Sequence, residues 1–94
     1  MANEVHAFHI LVPTEAKALE LKTSIEKDGE KFARVAKRNS TCPSSAKGGE
    51  LGWFSKGQMV PEFENAAFNG EVGKVLGPVK TQFGYHLILV DEVR

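Results

Sequence analysis

The chain has 94 residues, of which 41% are hydrophobic and 26% charged, an ordinary globular composition that excludes a collagen, a coiled coil or a disordered tail. Two domains in this length would each sit near the limit of about 40 residues for folding without disulfides or metals, so residues 1–94 are read as one domain. Twelve Lys and Arg balance twelve Asp and Glu at zero formal net charge, so the chain as a whole has no bias toward nucleic acid or an anionic membrane.

Residues 5–12, Val-His-Ala-Phe-His-Ile-Leu-Val, are rich in β-branched and aromatic side chains and end at Pro13, which predicts a strand. Thr14 offers an N-cap to a helix over 15–28, with Ala18, Leu21 and Ile25 on one face and Gly29 as C-cap. A second helix is expected from Glu30 to about Asn39, burying Phe32, Val35 and Ala36. Residues 40–49 are mostly small, polar, Pro or Gly and read as a loop or a short turn that contains Cys42. Gly48 to Phe54 suggests a short strand among tight turns. Pro61 opens a third helix that runs to Phe68 and stops at Asn69-Gly70. A strand over 75–80, a tight turn at Phe83-Gly84 and a strand over 85–93 complete the chain. The pattern is α+β: a small, mostly antiparallel sheet with helices inserted between its first and later strands.

Candidate chemistry rests on few residues. His6 and His9 fall on opposite faces of the first strand, and His86 shares a face with Ile88 and Val90. Each histidine taken alone reads as structural. The His and Cys set lacks zinc-site spacing, so no metal is expected. Cys42 lies in neither a redox motif nor a protease signature, so its default reading is a small packed side chain; a Cys-dependent hydrolase is a competing reading. Met59, Phe63 and Phe83 default to core, with Met59 and Phe63 four apart as on one helix face. The first two helices carry Lys17, Lys22, Lys27, Lys31, Arg34, Lys37 and Arg38, but interleaved acids make a solvated face the expectation, with no nucleic-acid or membrane role. One cysteine cannot form an internal disulfide, and no signal-peptide pattern or membrane-length apolar run occurs, so a soluble, cytoplasmic chain is expected.

Arrangement carries the reading further. His-Ile-Leu-Val, a helix pair, Cys-Pro-Ser, Gly-Gly-Glu-Leu-Gly-Trp-Phe, Gly-Gln-Met-Val-Pro-Glu-Phe and Thr-Gln-Phe-Gly-Tyr-His follow in order from Ala7 to Val93. This series closely resembles the parvulin family of peptidyl-prolyl cis/trans isomerases, in particular the minimal single-domain prokaryotic members. The resemblance implies a four-stranded antiparallel sheet surrounded by helices in β-α3-β-α-β2 order, with one more short helix within residues 44–47. It implies that His9 and His86 sit side by side beneath the site on adjacent strands, with Thr81 hydrogen-bonded into the pair. Cys42 matches a Cys or Asp at the site's edge. Leu51, Met59 and Phe63 match the pocket for the substrate proline ring, and Phe83 matches a position that closes it.

The implied activity is rotation of X–Pro bonds in flexible or unfolded protein segments, without covalent chemistry and without a cofactor. Phosphate-directed members carry a basic loop after the first strand. Here Val12-Pro13-Thr14-Glu15 leads directly into a helix and the first base is Lys17, so an apolar residue before proline is expected and phospho-specificity is not. A monomer is expected. The main alternative is a chaperone-like module that binds proline-containing segments without useful turnover.

Overall fold

The computed structural model describes residues 3–94. Its elements run β1 (Glu4–Val12), α1 (Glu15–Glu26), α2 (Phe32–Asn39), a 3-10 helix (Pro43–Lys47), β2 (Glu50–Ser55), α3 (Pro61–Asn69), β3 (Val75–Thr81) and β4 (Gly84–Val93). The four strands form one sheet in the order β2-β1-β4-β3, and every neighbouring pair is antiparallel. This is the α+β architecture expected from the sequence, with the additional helix present as a single 3-10 segment that begins at Pro43.

Both faces of the sheet are covered, which is why its central strands read as near-continuous apolar runs. On one face Ile10, Val12 and Leu87 pack with Ala18 and Leu21 of α1 and with Phe32, Val35 and Ala36 of α2. On the other face Val5, Ala7, Ile88 and Val90 pack with Phe54 of β2 and with Phe63 and Ala67 of α3. Period-two alternation thus assigns odd positions of β1 and even positions of β4 to the α3 face.

Several local expectations need correction. Helix α1 ends at Glu26, earlier than Asp28, and its C-cap is Lys27 rather than Gly29. Gly29 does adopt a left-handed φ of 73°, but in the connection to α2, where the Ser24 carbonyl accepts from both Asp28 and Glu30. Helix α2 begins at Phe32: Lys31 is its N-cap, in an extended conformation, and makes no capping hydrogen bond through its side chain. Residues 40–49 are not simple loop: Pro43 seeds the 3-10 helix, Gly48 ends it in a left-handed conformation, and β2 starts only at Glu50. Thr14 caps α1 as expected, its hydroxyl accepting from the Lys17 amide at 3.2 Å.

His6 lies on the α1/α2 face, opposite His9. Its Nδ1 meets Asp91 Oδ1 at 2.7 Å and its Nε2 meets Glu50 Oε2 at 3.1 Å, tying β4 and β2 to β1. Asp91 is the extra residue of a bulge, since His6 pairs with Glu92 and Ala7 with Val90. The hydrogen bond to Asp91, with a smaller contribution from Glu50, raises the His6 pKa.

Candidate active site

The buried polar side chains among the described residues are His9, Thr81 and His86, 5%, 7% and 4% exposed, and all three belong to one hydrogen-bonded chain. Burying such groups is costly unless they are paired, so their clustering marks this end of the α3 face as more than packing. His9 on β1 and His86 on β4 are diagonal neighbours, since His86 pairs with Leu11 and His9 with Ile88. Their rings stack at 5.2 Å and 20°, with Nδ1 facing Nδ1 at 3.1 Å. Thr81 Oγ1, on β3, lies 2.8 Å from His86 Nε2 and accepts from the Phe83 amide at 3.1 Å. At the other end His9 Nε2 meets Ser44 Oγ at 3.1 Å.

Burial, and then the nearby His86, lowers the His9 pKa to about 4; burial also lowers that of His86. His9 is therefore neutral at pH 7, and the downward shift favours neutral His86 as well. Phe63 makes T-shaped contacts with both rings, centroid to centroid 5.6 Å to His9 and 5.3 Å to His86, and so joins the histidine floor to an apolar wall.

Above this floor opens a cavity of about 550 Å³. Its lining includes Phe63 with Leu51, Met59 and Val60 packed against the same cluster, the segment Thr41-Cys42-Pro43, and Leu11 and Phe83. Met59 lies two residues before α3 rather than within it. Gln58 shapes its turn by accepting from the Ser55 amide at 2.6 Å, while the Gly57 amide donates to Glu64 at 2.6 Å.

Leu51 reaches the site through a bulge. Ala7 pairs with Gly52 and Phe8 with Glu50, which leaves Leu51 as the extra residue. Without the bulge, alternation from Trp53 would send Leu51 to the His6 face. Gly52, at φ 76°, provides the left-handed backbone that the reversal needs. Cys42 is half-buried and is held by its segment: Ser40 Oγ accepts from Leu11 N at 3.0 Å and from Cys42 N at 3.3 Å. Phe83 is 62% exposed, a rim residue on the β3–β4 turn rather than a closed cover.

Of the eight residues that the resemblance assigned to the site, seven line the cavity and Thr81 joins them through its hydrogen bond to His86, whereas His6, the remaining candidate histidine, lies on the opposite face. Ser44, Leu11, Gln58, Val60, Thr41 and Pro43 were not singled out as site residues. Leu11 carried a signal, being two residues after His9 on the same strand face. Among the described residues no group of three or more His, Cys, Asp or Glu could hold a metal ion, and no helix is long and apolar enough to cross a membrane.

Comparison with known proteins places this geometry in context. Residues 9–92 match the family described as "Rotamase: PPIC-type PPIASE domain". A foldase protein PrsA from a Geobacillus species is 52% identical over 90 residues, covering 95% of this chain and 32% of that protein. The crystal structure of the peptidylprolyl isomerase PrsA from Bacillus anthracis superposes with a TM-score of 0.95 at 39% identity, covering 99% of this chain and 43% of that one. The solution structure of NmPin, the parvulin of Nitrosopumilus maritimus, superposes with a TM-score of 0.87 at 44% identity, covering 98% of this chain and 99% of that one. The chain spans about a third of the length of the PrsA relatives it matches.

Proposed function

The chain belongs to the PPIC-type family of peptidyl-prolyl isomerase domains, the parvulins, and from that premise we propose that it rotates X–Pro bonds in flexible protein segments, preferring an apolar residue before proline. The observation that carries the reading is an apolar cavity standing on a histidine floor whose buried polar atoms are all paired among the described residues and in which His9 is neutral at pH 7.

The reaction makes and breaks no covalent bond. Its barrier, about 20 kcal/mol, comes from amide resonance. A thousandfold acceleration needs about 4 kcal/mol of preferential binding to the twisted amide. Twisting removes the dipolar resonance form, so a water-poor pocket favours the twisted state over either planar one. Met59, Phe63 and Leu51 grip the proline ring and exclude water, and Phe83 flanks the bound segment at the rim. His9, His86 and Thr81 act by holding the floor rigid. Their lowered proton affinity argues against an imidazolium at neutral pH, and rotation itself requires no proton transfer.

In this reading Cys42 supplies an electronegative edge near the substrate carbonyl. Cys42→Asp is then expected to keep turnover within about tenfold of the parent chain. Complete loss, with a substrate adduct trapped on the thiol, would assign a nucleophile instead.

Among the described residues no Lys or Arg lines the cavity, which supports the absence of phosphate direction. A matched pair of peptides tests the substrate preference: the Leu-Pro peptide is expected to turn over faster than the phosphoserine-Pro peptide. The reverse order would overturn it. We carry a monomeric, cytoplasmic chain as part of the proposal, the free Cys42 thiol being suited to a reducing compartment. Sedimentation and cell fractionation check both points, and a stable dimer or recovery outside the cytoplasm would reject them.

A further inference from the structure

We propose that Ser44 is a positioning residue of this site, its hydroxyl ending the hydrogen-bonded chain that sets the tautomers of both histidines and ties them to the segment carrying Cys42. The inference rests on the isomerase reading for its effect on turnover, but not for its effect on the rings.

The Nδ1–Nδ1 contact between His9 and His86, 3.1 Å, has room for one proton. Suppose His9 Nδ1 carries it. His86 then holds its own proton on Nε2 and donates to Thr81 Oγ1, which already accepts from the Phe83 amide. The hydroxyl proton of buried Thr81 is left with no acceptor among the described residues. Suppose instead that His86 Nδ1 carries the proton. Thr81 O–H donates to His86 Nε2, His86 Nδ1–H donates to His9 Nδ1, and His9 keeps its proton on Nε2. That proton needs an acceptor, and Ser44 Oγ stands 3.1 Å away. Only the second direction pairs every buried proton, and it terminates at Ser44.

The backbone is built to hold Ser44 there. The His9 amide donates to Gly49 O at 2.9 Å, and the Gly49 amide donates to Ser44 O at 2.9 Å. Ser44 is therefore anchored to the same residue whose ring it serves, in a closed loop from His9 amide to His9 imidazole. Position 49 accepts only glycine: its φ is 88°, and a Cβ there would run into the His9 carbonyl oxygen. Ser44 also follows directly on Cys42-Pro43, both lining the cavity, while the opposite end of the chain is the Phe83 amide at the rim. The hydrogen-bonded chain thus links two separate segments of the cavity lining, Cys42-Pro43 and Phe83.

Long-range 1H–15N correlation spectra of the labelled chain at pH 7 read the tautomers directly. The wild-type chain is expected to show His9 protonated at Nε2 and His86 at Nδ1. Ser44→Ala should shift the His9 nitrogens toward a tautomer mixture and lower kcat about tenfold, with KM nearly unchanged because the ring-binding wall is untouched. Ser44→Thr, which keeps the hydroxyl, should restore both. A Ser44→Ala chain with the wild-type ring pattern, or a wild-type chain with His9 protonated at Nδ1, overturns the proposal. The expected ring shifts in a chain that turns over no X–Pro bond would support the hydrogen-bond assignment and sink the isomerase reading instead.

Discussion

Phe63→Ala is expected to lose about 3–5 kcal/mol of stability, the range for emptying a buried aromatic site, and at least about a hundredfold in turnover. Phe63 is 3% exposed, belongs to the core cluster on the α3 face and makes T-shaped contacts with both imidazoles. Its removal opens the core and at the same time takes away the wall against which a proline ring would pack. The predicted loss is a large fraction of the roughly 5–15 kcal/mol that holds a small domain folded. Phe63→Leu separates the two effects. It keeps most of the apolar volume but loses both edge contacts, each worth about 0.5–1.5 kcal/mol. That variant should remain folded while turnover falls well below the parent value. Urea titration beside peptide exchange measures both quantities; a Phe63→Ala chain with parental stability and turnover would contradict the placement of Phe63.

Acid should destabilise the fold as pH falls below 6.5. His9 has a folded pKa of about 4 against 6.5 for the free side chain, so between these values the unfolded chain binds more protons than the folded one. Stability from His9 is therefore present in full above pH 6.5 and is lost as pH falls toward 4. The loss from His9 alone is about 2–3 kcal/mol between pH 7 and 4.5, and His86 adds to it with the same sign. His6 acts in the opposite sense. Asp91 and Glu50 raise its pKa, so its contribution is complete below pH 6.5 and fades as pH rises through the raised value. Denaturant titrations across pH 4.5–8.5 should show a maximum near neutrality. His9→Asn should be less stable at pH 7 and should flatten the acid limb, and His6→Gln should flatten the alkaline limb. An acid limb unchanged in His9→Asn would reject the buried, neutral assignment of that ring.

The elements were legible wherever a local signal was strong. Pro13 and Thr14 mark the change from β1 to α1, and Pro61 opens α3, because each acts through its own backbone or its near neighbours. The two-faced sheet followed from alternation, which separated His6 from His9 and grouped His86 with Ile88 and Val90. Boundaries set by longer-range contacts were less visible. The end of α1 and the start of α2 depend on how residues 27–31 cross between helices, and Gly29 alone could not locate them.

The site itself was hidden in composition and spacing, and its membership came from the resemblance. Leu51 shows why. Simple alternation assigns it to the wrong face, and only a bulge opposite Ala7 and Phe8 brings it to the cavity. Ser44 was invisible for another reason: its partner is 35 positions away, and the link exists only once Gly49 has brought the two segments together. A serine in a small-residue loop offers no sequence signal for such a contact.

NMR exchange spectroscopy on a Leu-Pro peptide with catalytic amounts of the chain separates turnover of X–Pro bonds from binding. Cis–trans cross-peaks are expected only when the chain is present, and weaker ones with Phe63→Ala. Peptide shifts that report binding, with exchange no faster than in the free peptide, would contradict turnover and favour a module that holds proline-containing segments without turning them over.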